Sequence, residues 1–285
     1  MSRRRTGLRD ELSGIVPGEM LDLAPSRFSL VGDVAVVSIP QELDRLKRPI
    51  GEAIIARHRN VKTVLNKVSK LEGERRVAEF EVLAGGGTVT CHREFGFVYR
   101  LDLARVFFNP RLGSERMRVA SKAVPGERVI VPFAGVGPFA IPLAAAGARV
   151  LALEISSEAC RWLAENARRN GVDGKVEIVN CDAFALCRTM AGRSQNGEEG
   201  KSRRPEQKFD RAVVPTPYGR DEILDSISPL VRPGGAVTFY TFKRHSQVEG
   251  LIREFEGRGL AVEFRRRCGN VAPSVSRWVF DLTKM

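Results

Sequence analysis

A chain of 285 residues with 43% apolar side chains is long enough for one large domain and one small one, each with its own core. It has no run of 18 apolar residues, and its start, MSRRRTGLRDELSG, lacks the apolar stretch of a secretory leader. Both observations point away from a membrane protein, and a cytoplasmic location is the expectation. The formal charge of +12, with a pI near 10.0, points to a polyanionic partner, nucleic acid before others.

Residues 1–27 carry Arg3, Arg4 and Arg5 but little apolar periodicity, and they read as a flexible N-terminal segment. From Phe28 the pattern changes to short strands. FSLVGDVAVVSIP holds the turn Gly32-Asp33 between two apolar runs, which predicts a hairpin ended by Pro40. Leu43, Leu46, Ile50, Ile54 and Ile55 are spaced for one face of a helix over 41–58. Strands follow at 62–68, 75–83, 88–92 and 97–103, with Gly85-Gly86-Gly87 as an open turn. Residues 28–108 are thus predicted to form a small α+β domain, and 109–285 a larger one.

The larger domain is organised around RVIVPFAGVGPFAIP, residues 128–142. An apolar strand runs into a turn at Gly135 and Gly137, and an apolar helical pattern follows at once, the order of a nucleotide-binding crossover. Next, RVLALE (149–154) reads as a buried strand ending in Glu154, 19 residues after Gly135, where ribose hydroxyls would be held. A helix over 157–170 leads to KVEIVN (175–180) and Cys181-Asp182-Ala183, which sets a second acid where an adenine amino group would lie. Three independent positions then share one sheet edge.

Beyond Asp182 the helical signal fades into a polar stretch, predicted to be a mobile insertion at about 188–208. A fourth strand, 211–214, meets the rigid turn Pro215-Thr216-Pro217-Tyr218, where Tyr218 is free to stack on a planar base. A helix over 221–230, a turn at Pro233-Gly234-Gly235 and a strand over 236–242 come next. A helix over 246–258 and strands at 260–265 and 276–282 complete the chain. The five cysteines include no Cys-x-x-Cys pair and suit neither a disulfide framework nor a zinc site.

This sequence of elements resembles the S-adenosylmethionine-dependent methyltransferase fold. The expected architecture is α/β, class I: a seven-stranded doubly wound sheet with an antiparallel terminal hairpin, preceded by a small α+β domain. The resemblance narrows over CHREFGFVYRLDLARVFFNPRLGSERMRVA (91–120) followed by FAGVGPFAIP (133–142), which is similar to the archaeal and eukaryotic tRNA guanine-N1 methyltransferase family. That family methylates the guanosine 3′ of the anticodon. The same superfamily holds a wybutosine-pathway enzyme that transfers an aminocarboxypropyl group from the same cofactor. That branch usually lacks the Pro-Arg of Asn109-Pro110-Arg111 and the Pro-Phe of Gly137-Pro138-Phe139, both present here.

The resemblance implies S-adenosylmethionine as cofactor and tRNA as partner, with a monomer as the expected state. It implies cofactor contacts at Arg116, Phe133, Gly135, Gly137, Pro138, Phe139, Glu154, Ile155, Asp182, Ala183 and Pro215, and substrate contacts at Arg111, Pro217 and Tyr218. Glu115 matches the family's catalytic acid. Arg76, with Arg75 as the alternative, matches an arginine offered to guanine O6. Two departures stand out. The family carries Asn-Leu-Pro after the fourth strand where this chain has Pro215-Thr216-Pro217, and the chain starts too late for the extra N-terminal domain of full-length relatives. Aminocarboxypropyl transfer and a catalytically weakened tRNA-binding paralogue are the alternative readings.

Overall fold

Residues 7–68, 79–192 and 208–285 are described in the structure, a computed structural model, and the chain divides into two compact units, Met1–Pro110 and Arg111–Met285.

The first unit contains helix α1 (Leu8–Leu12), strands β1 (Ser29–Val31) and β2 (Val34–Val37), helix α2 (Lys47–Arg57), and strands β3 (Thr63–Lys67) and β4 (Phe80–Gly85). These four strands form one sheet in the order β1-β2-β3-β4. β2 and β3 run parallel, so α2 is their crossover, while β1 and β4 are antiparallel to their neighbours. Strands β5 (Val89–Glu94) and β6 (Phe97–Asp102) form a separate hairpin. Of the strand predicted over 75–83, residues 75–78 lie outside the described residues, and β4 begins at Phe80. A correction concerns residues 7–27, expected to be irregular. Leu8, Leu12, Val16 and Ala24 are buried in one cluster with Ile50, Ile54 and Val64. Leu8, Leu12 and Val16 recur every fourth position, one face of a helical path, and the apolar area they remove from water holds the segment down.

The second unit opens with helix α3 (Gly113–Ala120), then alternates: strand β7 (Arg128–Pro132), helix α4 (Ala140–Ala145), strand β8 (Arg149–Glu154), helix α5 (Ser157–Arg169), strand β9 (Val176–Asn180), helix α6 (Ala183–Met190), strand β10 (Phe209–Val214) and helix α7 (Ile223–Ile227). Strand β11 (Val231–Arg244), helix α8 (Val248–Gly257) and strands β12 (Leu260–Ala272) and β13 (Val275–Lys284) complete it. The sheet order is β12-β13-β11-β10-β7-β8-β9. Strands β9, β8, β7, β10 and β11 are parallel, and β13 is inserted antiparallel between β11 and β12. This is the class I methyltransferase fold that the sequence predicts. Val129, Ile130 and Val131 are fully buried because helices cover both faces of a parallel sheet, and that is why they read as an unbroken apolar run.

Two local readings change. Pro233-Gly234-Gly235, predicted as a turn, lies inside β11. There the pairing steps from Phe209 opposite Val231 to Arg211 opposite Ala236, a bulge that absorbs the extra residues. α6 continues to Met190, and of the predicted insertion residues 193–207 lie outside the described residues. Successive strands leave β7 in opposite directions, to β8 on one side and to β10 on the other. The crevice at the carboxyl ends of β7 and β10 is therefore the switch point where such sheets take ligands. No helix among the described residues is long and apolar enough to cross a membrane.

Candidate functional site

The first half of the site is built on the turn after β7. Phe133 sits at φ 55, a left-handed conformation that a non-glycine residue adopts only under constraint. The constraints are visible: Ala134 N–H donates to the Leu153 carbonyl at 3.0 Å, and the buried Asn166 of α5 donates to the Val136 carbonyl at 3.1 Å. Gly137, at φ 92, has no room for a side chain, since a Cβ there would stand 2.3 Å from Leu163 Cδ1. Gly135, at φ 55, is the opposite case, with nothing within 4 Å of an added Cβ. The turn thus presents bare backbone to open space at the carboxyl edge of the sheet.

Both acids expected on this edge are held by backbone. Glu154 Oε2 accepts the Gly135 N–H and Oε1 the Ser156 N–H, each at 2.8 Å, which couples the end of β8 to the glycine turn. A carboxylate has about four acceptor sites, so both oxygens retain capacity for a pair of hydroxyls. Asp182 caps α6, with Oδ1 accepting the Phe184 N–H at 2.9 Å, and no described residue takes Oδ2. Phe133 packs on Phe184 with ring centroids 5.8 Å apart, beside Ala183, and Ile155 is exposed next to Glu154. An open backbone cradle, a ribose-type acceptor and an amino-group acceptor on one edge fit the adenosine of S-adenosylmethionine.

The second half centres on Glu115, in the first turn of α3 and 3% exposed. Its Oε1 accepts from Arg118 Nε at 3.0 Å, Arg118 Nη2 at 2.6 Å and the Tyr240 hydroxyl at 2.9 Å, and its Oε2 from Arg266 Nη2. Arg118 also holds Asp281 at 2.5 Å, and Lys122 reaches Asp281 at 2.7 Å. Burial pushes the Glu115 carboxyl up, but Arg118, Tyr240 and Arg266 outweigh it and hold the group below its ordinary value. Burial and then the Glu115 charge raise the Tyr240 phenol well above the ordinary range, so it stays a donor. Tyr240 is the bridge between halves, for its ring packs on Phe139, at the end of the Gly137-Pro138-Phe139 turn, at 5.3 Å.

The remaining predicted residues fall as follows. Arg116 is 2% exposed on α3, and Arg111 is exposed in the short turn before it. Pro215 and Pro217 flank the buried Thr216 at the end of β10, and Tyr218, 60% exposed, packs on Phe242 at 5.4 Å. Arg76 and its alternative Arg75 lie outside the described residues. Sequence reasoning missed Arg118, Tyr240, Arg266 and Asp281. Only Arg118 carried a local signal, three residues after Glu115 on one helix face.

Residues 90–263 match the TRM5/TYW2 methyltransferase domain, and residues 8–88 match the TYW2 N-terminal domain. The tRNA (guanine(37)-N(1))-methyltransferase Trm5b of Pyrococcus abyssi is 37% identical over 281 residues, 96% of this chain and 78% of that protein. A Pyrococcus horikoshii tRNA(Phe) (4-demethylwyosine(37)-C(7)) aminocarboxypropyltransferase is 38% identical over 176 residues, 61% of this chain and 63% of that one. Among solved structures, the complex of aTrm5 with tRNALeu superposes with a TM-score of 0.84 at 26% identity, covering 100% of this chain and 80% of its counterpart. By domain match, by identity across most of its length and by fold, this chain belongs to the TRM5/TYW2 methyltransferase family.

Proposed function

We propose that this protein is an S-adenosylmethionine-dependent methyltransferase acting on N1 of guanosine 37 of tRNA, the nucleoside 3′ of the anticodon. The observation that carries the reading is the placement of a buried carboxylate, Glu115, one aromatic contact away from the glycine turn that receives the cofactor. Similarity to Trm5b across 96% of the chain supports the same activity.

Guanine N1 carries a proton and is a poor nucleophile while it does, so transfer needs a base at N1 and a donor for charge developing on O6. Glu115 is the base. Held as an anion by Arg118 and Tyr240, it offers Oε2, the oxygen that among the described residues only the half-exposed Arg266 covers, to the N1 proton. Arg76, or Arg75, is the donor to O6. S-adenosylmethionine, when bound, supplies an activated methyl group. Glu154 takes the ribose hydroxyls, Asp182 Oδ2 the adenine amino group, and Arg116 the carboxylate of the methionine portion. Phe133, Gly135, Gly137, Pro138, Phe139, Ile155, Ala183 and Pro215 shape the cavity around it. Arg111 meets a phosphate, Pro217 and Tyr218 pack on the target base, and residues 28–108 contribute a tRNA-binding surface.

A second reading, aminocarboxypropyl transfer, is favoured by one observation, the match of residues 8–88 to the TYW2 N-terminal domain. One assay separates the two. The protein is incubated with S-adenosylmethionine and unmodified tRNA, the tRNA is digested and the nucleosides are weighed. A methyl increment on guanosine is expected; an aminocarboxypropyl increment, or none, overturns the proposal. Glu115→Gln keeps the size and loses the basic oxygen, so single-turnover methylation should slow by about 10² to 10⁴ with cofactor affinity little changed. A Gln variant as fast as the parent removes Glu115 from the role.

A further inference from the structure

At the carboxyl end of the same sheet lies a guanidinium that faces no acid among the described residues. Arg277 stands on β13 directly opposite Phe242 of β11, and its Cζ lies 5.0 Å from the centre of the Phe242 ring. Tyr218, from the turn after β10, packs on that same ring. The contrast with neighbouring arginines is sharp. Arg118 is held by Glu115 and Asp281, Arg211 by Glu127 and the Lys122 carbonyl, and Arg266 by Glu115. Among the described residues, no carboxylate, carbonyl or hydroxyl accepts a hydrogen bond from the Arg277 guanidinium.

Its surroundings make that absence costly. Burial is the main influence on Arg277 and disfavours its charged form; the Cys268 and Tyr240 side chains act in its favour, and the Arg116 guanidinium opposes it. Two like charges near each other in a partly buried site are stable only when an anion joins them or water reaches both. The face of Phe242 offsets part of the cost through its quadrupole and fixes the direction of the side chain, but it leaves the five N–H donors unused.

We infer that Arg277 is an oxyanion-binding residue of this site, shared with Arg116 and oriented by Phe242. Its planar fork suits a carboxylate or a phosphate held through two parallel hydrogen bonds. On the function proposed above, on which this inference rests, there are two sources of such an oxyanion: the carboxylate of the cofactor's amino-acid portion and a phosphate flanking the target nucleotide. Tyr218, exposed beside the same ring, lies where a base attached to that phosphate would stack.

The test uses the full chain as parent, Arg277→Gln and Arg277→Lys, with calorimetry for S-adenosylmethionine and for methylthioadenosine, which lacks the carboxylate, and with tRNA binding measured across a salt series. If the carboxylate is the ligand, S-adenosylmethionine affinity falls about tenfold or more in the Gln variant, while methylthioadenosine binds parent and variant alike. If a phosphate is the ligand, cofactor affinity is unchanged, tRNA affinity falls about tenfold, and the slope of log K against log salt shrinks by about 1. The Lys variant keeps the charge and loses the fork, so it should show a smaller loss for the same ligand, and it carries the test if the Gln variant does not fold. Parent-like affinity for both ligands in a folded variant overturns the inference. A parent that transfers no methyl group, together with an oxyanion loss in the variants, defeats the proposed function and leaves the inference standing.

Discussion

Of the three side chains that hold Glu115, Arg266 is the one whose removal disturbs the interior least. Its side chain is 48% exposed, against 17% for Arg118, and Tyr240 is fully buried. Arg266→Ala removes the ion pair on Oε2 and leaves Arg118 and Tyr240 on Oε1. An exposed ion pair contributes roughly 0.2–1 kcal/mol, and breaking a buried one costs roughly 3–5 kcal/mol. With one buried and one half-exposed partner the effect should be about 1–2 kcal/mol, close to one pKa unit at 1.36 kcal/mol per unit. The sign follows from the depressed value of Glu115. A carboxylate lowered in the folded state stabilises above its unfolded pKa, and that contribution is lost as pH falls through the lowered value. Without Arg266 the folded value moves back up, so Glu115 protonates at higher pH. A 13C NMR titration of the Glu115 carboxyl should register the rise, and the acid limb of the single-turnover rate should move up by about the same unit. Identical titrations in parent and variant would refute the argument that Arg266 governs the charge of this carboxylate.

Other outcomes follow from the cofactor edge and the charge. Glu154→Ala should weaken S-adenosylmethionine binding at least about tenfold by calorimetry, with circular dichroism unchanged, because it removes the proposed ribose acceptor and unties the Gly135 and Ser156 N–H groups; parent-like affinity takes Glu154 out of the site. Gly137→Ala forces a Cβ to 2.3 Å from Leu163 Cδ1 at φ 92 and should destabilise by about 1–3 kcal/mol, lowering Tm by roughly 2–4 °C per kcal/mol; an unchanged melting curve would mean the turn relaxes freely. Affinity for tRNA should fall steeply with salt, with a log–log slope of roughly −3 to −5 for about four to six phosphate contacts, and a flat titration removes nucleic acid as the partner of this +12 chain.

The sheet was legible in the sequence because its central strands carry short buried apolar runs, Val129 to Val131 in β7 and Ala212 to Val214 in β10. Gly135, Glu154 and Asp182, proposed to form the cofactor edge, stood out because all three follow strand ends. What the sequence hid is long-range. Arg266 meets Glu115 from 151 residues away, Tyr240 from 125, and Asp281 meets Arg118 from 163, and no local spacing announces a pair that exists only once β11, β12 and β13 are laid side by side. The N-terminal helix was missed because three apolar residues among charges make a weak local signal, and its stability comes from the cluster it joins. Pro233-Gly234-Gly235 was read as a turn because those residues usually end strands, whereas here the sheet carries them as a bulge.

The substitution of Pro215-Thr216-Pro217 for the family's Asn-Leu-Pro gains a physical meaning from the folded site. Neither proline has an N–H, and Thr216 directs both its backbone N–H, at 2.8 Å, and its hydroxyl, at 3.2 Å, to the Val214 carbonyl, so the segment closes on itself. The Pro217 carbonyl accepts the Arg220 N–H at 3.2 Å. What the segment leaves for a ligand is acceptors, the carbonyls of Pro215 and Thr216, where an Asn side chain would bring a donor as well. A guanine edge asks for both kinds of partner, with N1–H and the exocyclic amine as donors and O6 as an acceptor. With the donor absent from this turn, the proposed site relies on cations, Arg76 or Arg75 at O6 among them, to meet the oxygen atoms of a bound nucleotide. On the proposed function Arg277, held over the Phe242 ring and acting with Arg116, takes that part at the carboxyl end of this sheet, while Arg266 is engaged by Glu115.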